Sequence, residues 1–242
     1  MVEKSQIDFI LVNSSCYIEL ESKYRVDRIA TLKNNVFGKT QTSYGSVIFC
    51  KKQRQDIRHL IDLKRKAFRA VEDISFGGWI MTLRELKEAG VDAGTVRTGI
   101  LEIMNAEGKI NIDDFYIIHE HGGDQVSLPF LHSSREYPEW PIAKLEHVSN
   151  ELSEKVAVAL IGMPRNSIAA LSANIAGWTI PLNYQSVHDC LKELKIGPYK
   201  GFGKISLRDI FRKYWILIFI NFITLMILAW FLANHNNAQQ KD

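Results

Sequence analysis

Two groups of side chains in this sequence have types and spacings suited to chemistry. His119, Glu120 and His121, followed by Asp124, have metal-ligand character, because two His at i and i+2 on a strand share one face. No third ligand stands at a recognisable spacing, and the same residues around Gly122-Gly123 fit the polar tip of a hairpin, so no metal is expected. The second group is Lys51 to Ala70, with eight Lys or Arg against two Asp. Ile57, Leu60, Ile61, Leu63 and Phe68 recur there at roughly helical spacing, which predicts an amphipathic helix. Its basic face, with Lys64, Arg65 and Lys66, suits phosphates, anionic headgroups or plain solvent. Gly122-Gly123 and Gly201-x-Gly203 lack the residues and context of a phosphate loop, and no nucleophile elbow or Cys/His signature is present. The expectation is a non-enzyme with no cofactor.

The elements that would position such groups follow from caps and periodicity. Thr82 can cap a short helix carrying Leu83 and Leu86, which Gly90 ends. Asp92 can cap a second, with Val96, Ile100, Ile103 and Met104 in one stripe and Gly108 as its stop. Asn111 to Glu120 and Gln125 to His132 are strand-like runs joined across His121 to Asp124, the pattern of a wing. Residues 82–132 resemble the winged helix-turn-helix of GntR-type bacterial transcription regulators, and AGVDAGTVRTGILEIMNAEGKI looks like its reading region. The resemblance implies that Thr95, Arg97 and Thr98 face DNA. Asp92 and Ala93 depart from that family, which usually has a small hydroxyl and a basic residue there. Glu102 and Glu107 leave the helix more acidic than basic, which weakens phosphate neutralisation.

Elsewhere, residues 1–50 read as strands (IDFILV, CYIELE, SVIFC), and 51–132 as the winged-helix-like module. Residues 133–198 read as a helical module with a second helix-turn-helix-like unit: Asn166 caps Ser167 to Ala176, and Tyr184 to Ile196 turns Val187, Leu191 and Leu194 inward. SSREYPEWP is a loop by its prolines. Residues 199–213 form a basic linker, and 234–242 a short tail.

Tyr214 to Ala233 is twenty residues without a formal charge, the length that crosses a hydrocarbon layer roughly 30 Å thick. Lys200, Lys204, Arg208, Arg212 and Lys213 precede it and only Lys241 follows. The excess of positive charge predicts a cytoplasmic N-terminal body on a single-pass inner-membrane anchor. The opening MVEKSQIDFILVN lacks the pattern of a signal peptide. Cys16, Cys50 and Cys190 are scattered and odd in number, which suits free thiols in a reducing compartment. A net charge of +3 is too mild to mark a nucleic-acid binder by itself.

The expected fold class is therefore α+β, with winged-helix-like cytoplasmic modules and a C-terminal single transmembrane helix. The leading expectation for function is a membrane-tethered regulator contacting duplex DNA. Its rival is a non-enzymatic membrane-anchored interaction factor of the assembly, secretion, conjugation or exclusion type. The expected partners are the lipid bilayer, duplex DNA, other membrane proteins and a second copy of the chain.

Overall fold

The computed structural model describes residues 1–66, 68, 70, 93–118, 128–203 and 207–239. It divides into two compact units, Met1–Lys200 and Gly201–Asp242.

The first unit is an α/β body built on two sheets. Strands β1 (Phe9–Leu11), β2 (Asp27–Val36), β3 (Lys39–Gln41), β9 (Pro141–Lys144) and β10 (Ile175–Thr179) make the larger sheet, in the order β1-β9-β2-β10 with β3 also on β2. Strands β5 (Ser46–Lys51), β6 (Gly94–Arg97) and β7 (Phe115–Ile117) make the smaller one, with β5 central. Between them lies a two-stranded ribbon, β4 (Ser43–Tyr44) paired with β8 (Tyr137–Pro138), in which Tyr44 stands opposite Tyr137. The chain leaves the larger sheet through β4 and returns to it through β8, so this ribbon is the seam between the two halves.

Helices close the larger sheet. Helix α1 (Ser14–Tyr24) starts where the Asn13 side chain accepts from the Cys16 N–H, and ends at Arg25 in the left-handed region. It packs Tyr17 and Ile18 against Tyr137, Ala143 and Leu145. Six residues, CYIELE, alternate well enough to read as a strand, but the Asn cap and the i, i+3 and i+4 burial of Ser14, Tyr17 and Ile18 belong to a helix. Helix α3 (Asn150–Ile161), capped by Ser149, covers Trp178 of β10 through Leu160. Helix α5 (Gln185–Leu194) buries Val187, Cys190 and Leu191 in the core it shares with α1. Each aliphatic side chain buried so fully contributes about 1.5–3 kcal/mol.

The winged-helix expectation fails here on backbone grounds. The helix expected from Asp92 to Gly108 is a strand followed by a shorter helix: β6 pairs Val96 with Val47 and Thr95 with Ile48, and only Ile100–Ala106 (α2) is helical. Gly99, at φ +87°, separates the two, and its bare Cα lets Val36 approach to 3.0 Å of where a Cβ would stand. Thr95 and Val96 are β-branched, and a central partner strand overrides the helical stripe. The preceding helix at 82–90 and the hairpin tip at 119–127, with its His119–His121 pair, lie outside the described residues. Nor do the described residues of Lys51 to Ala70 form an amphipathic helix: β5 ends at Lys51, turns follow, and among these residues only Leu60–Leu63 forms a 3-10 turn. In the second helix-turn-helix-like unit, α5 has nearly the expected bounds. The helix before it, α4 (Ile168–Ser172), is a single short segment leading into β10.

The second unit carries α6 (Leu207–Gln239), whose stretch Phe211–Trp230 has mean hydropathy 1.8 and no buried side chain. It is long and apolar enough to cross a membrane. Asn221 and Thr224 donate back to the carbonyls of Leu217 and Ile220, each at 2.9 Å, so each side chain has a donor bonded inside the helix.

Candidate functional site: the seam between the two sheets

The seam holds a buried ion pair. Arg97, at the end of β6 in the smaller sheet, reaches the carboxylate of Glu139 in the return segment between β8 and β9. Glu139 has no exposed side-chain surface, whereas the Arg97 side chain keeps 26% of its own. The guanidinium carbon lies 4.3 Å from the centre of the Tyr44 ring, on the ribbon strand between the two, a cation–π stack that fixes its plane. Glu139 is also held by the Trp140 N–H at 3.3 Å and by the Asn34 side chain. Burial nevertheless pushes its carboxyl above the ordinary carboxylate range, and Arg97 only partly offsets this. Burial likewise pushes the Tyr44 phenol far up, so it stays neutral.

A frame of hydroxyl bonds fixes the turn into β5. Gly45 donates to Thr98 Oγ1 at 3.0 Å, Ser46 to Ser134 Oγ at 2.9 Å, and Ile48 to Ser133 Oγ at 2.8 Å. A Cβ on Gly45 would stand 3.2 Å from Ser134 Oγ and 3.3 Å from Thr98 Oγ1, so the closeness of these strands depends on glycine. The N-terminus of α1 approaches the same ribbon, since Ser14 Oγ donates to the Pro138 carbonyl at 2.7 Å. Tyr184, at the start of α5, donates to the Glu139 carbonyl, and its oxygen lies 3.2 Å from Thr31 Oγ1.

The residues expected to face DNA are placed otherwise. Thr95 and Thr98 are 3% and 7% exposed, Thr98 serving the Gly45 turn and Thr95 lying in the sheet. Arg97 is the cation of the seam. Lys64 and Arg65 are exposed just after the 3-10 turn, with Arg65 at φ +68°, and Lys66 pairs with Asp56. The structure thus brings Arg97 and Thr98 to one seam and leaves the three basic residues on a separate surface. Sequence reading missed Glu139, Tyr44, Tyr137 and Tyr184. The available signal was an acid held between Pro138 and Trp140 in the segment read as a loop.

Two pockets of the described body lie away from the seam. One of about 410 Å³ is lined by residues including Lys23, Tyr24, Glu146 and His147; another of about 330 Å³ includes Asn35, Arg165 and Asn174. Neither holds a buried ionisable pair, and the seam is therefore the stronger candidate.

Residues 1–93 and 90–185 match the family described as the phosphonate periplasmic substrate-binding protein of an ABC transporter. The chain belongs to this family. Solved structures share the fold of this chain. A Xanthomonas citri protein with ATP bound has a TM-score of 0.60 at 12% identity, over 79% of this chain and 78% of that one. The binding-protein component of an ABC phosphonate transporter from Pseudomonas aeruginosa has 0.57 at 12%, over 94% and 82%. PhnD1 of Prochlorococcus marinus in complex with methylphosphonate has 0.56 at 9%, over 80% of each. Among curated proteins, the tetrathionate sensor histidine kinase TtrS of Salmonella typhimurium is 27% identical over 225 residues, 81% of this chain. The chain spans 36% of that relative's length.

Membership corrects several expectations. The body has the two-lobed α/β fold of a substrate-binding family, and the resemblance to GntR-type regulators does not hold. Neither a DNA-contacting regulator nor a plain protein-contact factor agrees with a substrate-binding family, whose partners are small ligands and transporter subunits rather than duplex DNA. The family is periplasmic, which overturns the cytoplasmic placement of the body. The positive-charge rule governs short loops of up to about 60 residues, while long domains translocate largely regardless of charge. The thiols do not require a reducing compartment: Cys50 and Cys190 are buried and Cys16 half-buried, all three free, and burial pushes the Cys16 and Cys50 thiols up, away from the reactive thiolate.

Proposed function

We propose that this chain is the ligand-recognition part of a membrane-tethered receptor, taking a small oxyanion in the seam between its two sheets. The observation that carries this reading is the Arg97 guanidinium, partly exposed and held flat on Tyr44 at the point where both halves meet. A guanidinium presents five N–H donors in a rigid fork that matches carboxylate, phosphate or sulfur oxyanions. The family's description, the methylphosphonate held by one structural neighbour and the tetrathionate named for the curated relative all point to compact anions with several oxygens. Closure of two halves about the β4–β8 ribbon would surround such a ligand, the hinge mode of two-lobed binders.

Helix α6 supports the tether. Its apolar stretch is exposed along its whole length, and such a surface is stable only in lipid or against another apolar surface. A second reading, delivery of the ligand to a transporter subunit, follows from the family description.

The test is calorimetry and thermal melting of the detergent-solubilised chain against tetrathionate, thiosulfate, methylphosphonate, phosphate and sulfate. Stoichiometric binding of at least one, lost on Arg97→Gln with the fold retained, is expected. Identical melting curves in all five would refute the oxyanion reading. Carbonate washing of membranes tests the tether, since a peripheral protein would be released.

A further inference from the structure

We infer that Glu139 is a resident competitor for the ligand: an incoming oxyanion takes Arg97 away from it, and the carboxylate left in the seam is neutralised by one proton from solvent. The inference rests on the oxyanion reading and gives that site its regulation.

The geometry sets the two anions in competition for one guanidinium. Arg97 makes its contact with the seam wall through Glu139, whose carboxylate is wholly enclosed. An anion approaching the exposed part of the guanidinium meets a charge already neutralised. It gains the full charge of the guanidinium only by drawing Arg97 off Glu139.

Once Arg97 turns, Glu139 keeps only the Trp140 N–H and the Asn34 side chain. A buried carboxylate without its cation is strongly unfavourable, and protonation removes the charge. Among the described residues, the groups facing Glu139 are Arg97 from β6, the Tyr44 phenol from β4, the Tyr184 phenol from the start of α5, and Asn34 from β2. Both phenols are pushed up by burial and stay neutral across the working range. No second cation therefore replaces Arg97 among these neighbours, and the proton is the remaining compensation.

Binding then takes up a proton. Above the pH at which Glu139 protonates in the free protein, affinity rises as pH falls, by up to about tenfold per pH unit for one proton. Below that pH the carboxyl is already neutral, Arg97 is uncommitted, and affinity levels off. A receptor wired this way reads its anion more strongly in acid surroundings.

The experiment is a titration of the full chain in detergent with sodium sulfate, a dianion that stays ionised across neutral pH, so that any pH dependence belongs to the protein. The dissociation constant is measured for the parent and for Glu139→Gln, which keeps the size and removes the charge. The expected result is parent affinity rising as pH falls, with Glu139→Gln at least about tenfold tighter at high pH and flat with pH. Sulfate binding by the parent with a flat pH profile would overturn the inference and leave the oxyanion reading standing, with Glu139 merely orienting Arg97. No binding by either protein at any pH, of sulfate or of any other anion in that set of five, would overturn both. The parent's own pH profile decides the matter even if Glu139→Gln does not fold.

Discussion

The Tyr199 hydroxyl lies 2.9 Å from Nδ1 of His188, and the other ring nitrogen of His188 lies 3.1 Å from Glu21. Glu21 in turn holds Arg28 at 3.2 Å, and Arg28 stacks over the Tyr184 ring at 5.4 Å. Tyr184 is the residue that donates to the Glu139 carbonyl. A continuous set of polar contacts thus runs from the seam to the last residues of the body, eight positions before α6 begins. Tyr199→Phe keeps the ring against His188 and removes the hydroxyl. The expected cost is about 0.5–1.5 kcal/mol, read as a lower urea midpoint for the solubilised chain; an unchanged midpoint would show that this link contributes nothing.

Thr98 offers a sharper case, because its hydroxyl accepts from the buried Gly45 N–H. Thr98→Val keeps the shape and strands that donor, which costs about 1–3 kcal/mol. Thr98→Ser restores the acceptor and should recover most of the loss. Equal stability of the Val and Ser variants would mean the hydroxyl is dispensable and the turn is held by backbone bonds alone.

Only the local elements of this architecture were legible, and the boundary is physical. Helix α5 could be read from Val187, Leu191 and the Gly197-Pro198 stop, and the apolar stretch of α6 from its length, because both signals are local. Residues 94–97 could not. A helical stripe through Val96, Ile100 and Ile103 was present, but Val96 faces Val47 across a ladder, and nothing near residue 96 announces a partner fifty positions earlier. The seam was hidden for the same reason: Arg97 and Glu139 are 42 residues apart, and each alone reads as a surface charge. Only closure of the β4–β8 ribbon makes them a pair. Asn13 is the counter-example, a local cap signal that was present and outweighed by the alternation in CYIELE.

That cap gives the next prediction. The Asn13 side chain accepts from the Cys16 N–H at 2.9 Å, at the end of α1 that meets the Pro138 carbonyl through Ser14. Asn13→Ala should destabilise by about 0.5–2 kcal/mol, and Asn13→Asp by much less, since both Asn and Asp cap well. Hydrogen exchange at the amides of the first turn of α1 should rise in the Ala variant. If protection there is unchanged while stability falls, the loss comes from another contact of Asn13.

Glu139 also sets a signature in the stability of the ligand-free protein. Burial raises its carboxyl above the ordinary value of 4.5, so the folded state holds this proton more tightly than the unfolded chain does. Stability linked to the group is therefore fully present below the unfolded value and falls as pH rises towards the folded one, the opposite sign to an exposed carboxylate paired with a cation. Asp56, held well below its usual range by Arg54 and Lys66, belongs to that second kind and is common to parent and variant, so it cancels in the comparison. Subtracting the pH profile of Glu139→Gln from that of the parent should leave a difference that declines with rising pH, by no more than about 1.4 kcal/mol per unit. Urea midpoints at a series of pH values supply it. A difference that instead grows with pH would mean that Arg97 outweighs burial and holds the folded Glu139 carboxyl below its unfolded value.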